Sequence, residues 1–304
     1  MQGRRAADYP AQLRATPADP PPADLTRYRS DLVAARTAEK SRVEKLLEAQ
    51  IKLSVVATDI FGVSGRDMLA ALVAGERDPK ILAQLARKTV RKKYSLLEEA
   101  FTGYFTDHHG FLLAQMLHRV DAITADIAAL DARVEAEAAP FAPAIARLDE
   151  IPGISLVAVH AILAEIGVDM TRFPTAGHLV SWAKYAPGVS ESAGKKKGRN
   201  STGRGNPYLA AILGNAAAAA AKTDTFLGDR YRRLARRRGS RKANVAIARS
   251  ILVVIWHLLS DPQARYADLG PDYYTRRADP DRRRREHVRQ LEALGYTVYL
   301  ERAA

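Results

Sequence analysis

Cysteine is absent from this chain of 304 residues, which excludes a disulfide framework and any thiolate metal site and fits a reducing compartment. No uninterrupted run of about 18 apolar residues is present, and Met1 to Pro22 is too charged and proline-rich for a signal peptide. These absences point to a cytoplasmic protein with no membrane partner. Alternating strand patterns are also missing, apart from the short stretch Tyr296 to Leu300. The expected fold is mainly α: a helical coiled-coil hairpin followed by a compact helical DNA-binding domain with a helix-hairpin-helix-like element. With 47% hydrophobic residues, the chain can bury at least one sizeable core and divide into two or three units.

Charge is unevenly placed. Ala186 to Ala304 holds 24 Lys and Arg against 11 Asp and Glu, and the rest of the chain is balanced, so this stretch carries the whole net charge of +13. A one-sided field of that size attracts polyanions, and nucleic acid is the favoured partner.

Inside that basic half lies Gly188 to Lys222, a glycine-studded loop followed by an alanine-rich run. Ser190, Ser192, Ser201 and Thr202 supply hydroxyls, and Lys195, Lys196, Lys197, Arg199 and Arg204 supply cations. Main-chain N–H groups, cations and hydroxyls leading into a helix N-terminus form a phosphate-holding arrangement. Asn206 suits the N-cap of that helix and Pro207 its first position. The plainer alternative is a solvated basic loop.

Along the chain, residues 1–24 carry Pro10, Pro17, Pro20, Pro21 and Pro22 and read as a disordered linker or a frayed remnant. Residues 25–140 form the expected coiled-coil domain. Leu25 to Ile60 is helical in pattern, Ser64 is a candidate cap for a helix Arg66 to Ala74, and further short helices are expected over Ile81 to Lys88 and Ser95 to Tyr104. From Phe111 to Glu137, Leu113, Met116, Val120, Ile123, Ile127, Leu130 and Val134 alternate spacings of 3 and 4, the seam of a coiled coil. Its partner is either the Leu25 to Ile60 helix or a second subunit. Asp107, His108 and His109 read as a helix-capping turn and not as a metal site, and His160 as a packed or surface histidine.

Residues 145–272 form the second expected domain. Leu148 to Gly167 suggests two helices about a Pro152-Gly153 turn, and Gly153 is a candidate phosphate-binding position. Thr175 is expected to open a helix through Trp182, and Tyr208 to Ala221 is a buried helix of small residues. Arg230 to Lys242 packs eight basic residues into thirteen; Arg233, Arg236, Arg237 and Arg241 are its candidate phosphate contacts. Ala243 to Ser260 returns to the core, and residues 273–304 form a basic tail whose stretch Arg276 to Arg289 is either disordered or a helix ordered by nucleic acid.

The motifs LTRYRSDLVAARTAEKSRVEKLLE, DIFGVSGRDMLAALVAGERDP, FTDHHGFLL, IPGIS and SAGKKKGRNSTGRGNPYL together resemble the DEDD transposases of the bacterial insertion sequence 110 family, which are RNA-guided recombinases. The resemblance runs from about Pro10 to about Asp272. It implies a nucleophilic serine, Ser192, with Ser190 and Ser201 as fallback candidates, and it implies DNA and a structured guide RNA as partners, while the coiled-coil seam points to further copies of the chain. A serine hydroxyl attacking a phosphodiester conserves the bond energy for rejoining, and Lys195, Lys196, Arg199 and Arg204 could neutralise the developing charge. Glu191 is the nearest acid to Ser192 and is not favoured as its base.

The family's acidic metal ligands lie on an N-terminal RuvC-like nuclease domain, upstream of the matching region. The expectation is therefore a coiled-coil and transposase portion that binds no cofactor by itself, with divalent magnesium belonging to the nuclease domain and no metal ligands here. The alternative is a non-catalytic nucleic-acid-binding module that competes with an intact transposase.

Overall fold

The computed structural model describes residues 21–186, 191–192, 195–196, 203–277 and 279–301. The protein is mainly helical, with fourteen α-helices among the described residues. It divides into two units, residues 22–137 and 138–304.

The first unit holds α1 (Ala23–Gln50), α2 (Leu53–Val56), α3 (Val63–Val73), α4 (Pro79–Gln84), α5 (Tyr94–Phe101) and most of α6 (Asp107–Ala138). The ends of α1 and α6 fix its layout. Arg29 pairs with Asp131, with Nη2 donating to Oδ2 at 3.2 Å; Arg36 Nη1 donates to Thr124 Oγ1 at 3.4 Å; Arg119 lies 3.9 Å from the buried carboxylate of Glu39. As the residue number rises on one helix it falls on the other, so the two run antiparallel within one chain. On α6, Leu113, Val120, Ile127 and Val134 are buried, one heptad apart, while Met116, Ile123 and Leu130 between them are half-buried. The facing stripe of α1 is polar in its middle, and an arginine there covers less apolar surface than a leucine would.

Beyond that pairing, Val43, Leu47, Ile51, Met68, Leu72, Leu82, Leu97, Phe101 and Leu113 close a single core. The expected helix start at Ser64 moves: α3 begins at Val63 with Gly62 at its N-cap, because the Ser64 hydroxyl is turned inward to accept from Arg87 N–H at 2.9 Å. His109, also expected in a turn before α6, sits inside its first turn and accepts through Nδ1 from the Thr106 N–H at 3.1 Å.

The second unit holds α7 (Ala142–Asp149), α8 (Leu156–Ile166), α9 (Ala176–Trp182), α10 (Pro207–Ala220), α11 (Phe226–Arg238), α12 (Ser240–Ser260), α13 (Tyr273–Arg276) and α14 (Pro280–Ala293). Two two-residue strands, β1 (Glu191–Ser192) and β2 (Lys195–Lys196), pair antiparallel. Helix α12 is the hub, packing against α7, α9, α10 and α11. By length and composition it is apolar enough to cross a membrane, but here Ala243, Ile247, Ala248, Ile251, Leu252, Ile255 and Leu258 are buried among Val159, Ile162, Leu179, Leu209 and Leu213. Trp256 Nε1 donates to Phe173 O at 2.8 Å, and the buried Arg147 donates through Nε to Leu258 O at 3.2 Å. Tyr296 to Leu300 forms no strand; a lone short segment has no neighbour to satisfy its backbone.

Candidate nucleic-acid interface

The start of α10 is the best-defined part of the site. Asn206 Oδ1 accepts from Tyr208 N at 2.9 Å and Leu209 N at 3.2 Å, and Pro207 occupies the first helical position. Both sequence expectations hold, for the reason that gave them: the first N–H groups of a helix lack intrahelical partners, and an asparagine oxygen supplies one. The other end of the same amide donates from Nδ2 to Glu165 Oε2 on α8. Asn206 therefore ties the descending end of the glycine loop to two helices at once.

Beside it, Lys184 holds a left-handed backbone conformation, φ 61°, and its aliphatic stem lies against Gly203 and Gly205. A Cβ at Gly205 would come within 2.9 Å of Ala183 O and 3.2 Å of Lys184 Cβ. Glu165 and Lys184 were not singled out from the sequence. The single legible signal was Lys184's place just before the loop; Glu165 reaches the site only through folding. Tyr185, next in line, donates its hydroxyl to Ala210 O at 3.4 Å, and burial raises its pKa above the ordinary tyrosine value.

The loop itself carries Ser192. In β1 it is the register partner of Lys195 in β2, and Glu191 is the partner of Lys196. This pairing was not expected from the sequence. Lys197, Arg199, Ser190 and Ser201 lie outside the described residues; Arg204 is described and exposed.

The run from Arg230 to Lys242 is divided between two helices. Gly239, at φ 83°, ends α11 and starts α12, a conformation that glycine takes without a Cβ penalty. Arg236, Arg237, Arg238, Arg241 and Lys242 crowd this corner, all exposed. The ion pairs among the described residues include none of these five. Closer to the start of α11 the arginines are engaged: Arg230 Nη1 donates to the Tyr274 hydroxyl at 2.6 Å, the Arg233 guanidinium lies 4.6 Å from the centre of the Tyr274 ring, and Arg232 donates to Thr223 O at 3.0 Å.

Gly153 has a structural duty. At φ 88° it brings the turn between α7 and α8 against α10, where a Cβ would lie 2.4 Å from Ala216 O and 2.5 Å from Ala220 N. Among the described residues, no group of three or more His, Asp or Glu side chains is arranged to hold a metal ion.

The sequence model of the IS116/IS110/IS902 transposase family matches residues 145–232, from α7 into α11. The chain is 32% identical over 136 residues to an uncharacterized 43.6 kDa protein of insertion element IS110 from Streptomyces coelicolor, covering 44% of this chain and 33% of that one. It is 28% identical over 240 residues to a probable family 20 transposase from Pseudomonas aeruginosa, covering 78% of this chain and 62% of that one. It thus spans between a third and three fifths of the length of these relatives. The matched stretch takes in the Asn206 cap, the serine loop and the start of α11, and over it the chain is similar to the IS116/IS110/IS902 family of transposases.

Proposed function

We propose that the second unit binds DNA and contributes Ser192 as the nucleophile of a strand-cleaving and strand-joining reaction. The observation that carries this reading is the register of the loop, in which Ser192 and Lys195 are backbone partners. In this reading a cation of the same turn stabilises negative charge where the pentavalent phosphorus develops it. The step balances simply: Ser192 Oγ forms a bond to phosphorus, the bond from phosphorus to a deoxyribose oxygen breaks, and the serine proton ends on that leaving oxygen. Reversal with another strand's hydroxyl joins the ends and restores the serine.

The remaining roles follow from position. Arg204 and Lys184 stand at the descending end of the loop, and the exposed corner of Arg236, Arg237, Arg238, Arg241 and Lys242 tracks a phosphate backbone. Lys196, Lys197 and Arg199 are assigned to phosphate by composition, Arg233 to orienting the corner through Tyr274, and Gly153 to packing. Self-association belongs to the same reading, through the half-buried Met116, Ile123 and Leu130 of α6 as one flank of a coiled coil.

The test is covalent capture. Full chain, supplied with magnesium, the family's nuclease domain and its guide RNA, is incubated with a DNA substrate whose leaving strand cannot return. A protein-DNA adduct that resists denaturation is expected, lost in Ser192→Ala and kept in Ser190→Ala and Ser201→Ala. An adduct that survives Ser192→Ala would assign the nucleophile elsewhere. Binding without any adduct would favour a non-catalytic module.

A further inference from the structure

We infer that the first unit holds a second, separate contact for a nucleic-acid phosphodiester backbone, at the segment Arg87 to Lys93 between α4 and α5. The unit as a whole gives no hint of this: residues 22–137 contain 17 Lys and Arg and 17 Asp and Glu. Five of those cations, Arg87, Lys88, Arg91, Lys92 and Lys93, nevertheless fall within seven consecutive residues, and all five are exposed. A neutral body that gathers five of its cations within seven residues offers a local anionic contact there.

Their engagements are unequal. Arg87 pairs with Asp67 at 2.6 Å, and Lys93 Nζ donates to Val56 O at 2.8 Å. Among the described residues, no hydrogen bond or ion pair engages the side chains of Lys88, Arg91 and Lys92. The segment borders a cavity of about 560 Å³ lined by Asp59, Gly62, Ser64, Arg87, Lys88 and Lys93, among others. Asp59 is the single carboxylate in that lining, and its Oδ1 is occupied by Phe61 N at 3.0 Å. The cavity has room for a phosphate with its sugar, and Lys88, with Arg87 and Lys93 beside it, supplies the charge at its rim. A long polyanion is favoured over a lone phosphate because Arg91 and Lys92 continue the charge beyond the cavity, as successive phosphates require.

The contact rests on the reading that this protein handles nucleic acid, but it uses a different unit from the serine loop. DNA and RNA share the chemistry, so the test carries both. Full chain bearing Lys88→Asn, Arg91→Gln and Lys92→Gln is compared with wild type for binding labelled duplex DNA and labelled hairpin RNA over a salt series. Asparagine is chosen at 88 because Lys88 has φ 49°, a conformation asparagine tolerates. The slope of log affinity against log salt is expected to fall by about 2–3, with affinity reduced roughly tenfold or more at moderate salt. Loss confined to the hairpin assigns the contact to RNA, and loss confined to the duplex assigns it to DNA. Unchanged affinity and slope for both overturn the inference. A charge-conserving variant, Lys88→Arg, Arg91→Lys and Lys92→Arg, retains binding if charge is the cause; its failure would mean that the segment acts structurally. A parallel variant, Arg236→Gln, Arg237→Gln and Arg241→Gln, separates the two claims. Loss there alone leaves the proposed function and removes this contact; loss at 88–92 alone does the reverse.

Discussion

Gly153 shows how one residue can be conspicuous in a sequence for one reason and required in the fold for another. A glycine after proline between two helical patterns suggests a turn that offers N–H groups to phosphate. In the structure the missing Cβ is what lets α10 approach, and the opposing atoms, Ala216 O and Ala220 N, are backbone. Gly153→Ala combines a left-handed conformation, which costs about 1–2 kcal/mol for an L-residue, with a contact that no rotamer change relieves. The expected loss is about 2–4 kcal/mol, lowering the thermal midpoint of the second unit by roughly 5–10 °C. Trimming Ala216 to glycine in the same chain restores nothing, because the clashing atoms remain. A calorimetric scan showing no shift would mean that the turn stands off from α10 in solution.

At the scale of elements, α6 gives a sharper division than its spacing did. The seam reads as uniform, yet Val120 and Ile127 are buried within the unit while Ile123 and Leu130 are half-covered. Ile127→Ala should cost about 2–4 kcal/mol through the cavity it leaves, measurable by urea unfolding. Ile123→Glu together with Leu130→Glu should leave the helical signal intact and reduce the native mass to that of one chain, if this flank carries the assembly; an unchanged multimer would place the interface elsewhere. What was legible in the sequence follows the same logic. Helices with strong caps, such as α10 after Asn206, or strong periodicity, such as α6, announce themselves locally. Those whose bounds depend on a distant group do not: α3 starts at Val63 because Ser64 is drawn to Arg87, and the basic run divides at Gly239 because α12 continues into the core. The candidate site was half legible for that reason. Its hydroxyl, cations and cap lie in one stretch, whereas Glu165 and Lys184 join it only through helix packing, and the basic cluster of the first unit was hidden inside a neutral total.

The whole molecule is two cores, one closed by residues between Val43 and Leu117 and the other by residues between Ala138 and Leu259. Both tryptophans, Trp182 and Trp256, belong to the second. Tryptophan fluorescence therefore reports the second unit alone, while far-ultraviolet circular dichroism reports helices in both. Unfolding in urea followed by the two probes should give transitions that do not coincide, since separate cores satisfy two-state behaviour separately. Coincident midpoints and slopes would show that the chain melts as one cooperative body.

The six alanines from Ala216 to Ala221 look interchangeable when written as letters. Gly153 breaks that equivalence, because its backbone rests on 216 and 220, while 218 and 219 face outward. Inside a stretch with no chemical variety the fold has thus written an address, one helical turn long. Adding or removing a single alanine between Ala216 and Ala220 would leave the composition almost untouched and yet turn the later residues of α10 by about 100°, moving one half of that address out from under Gly153.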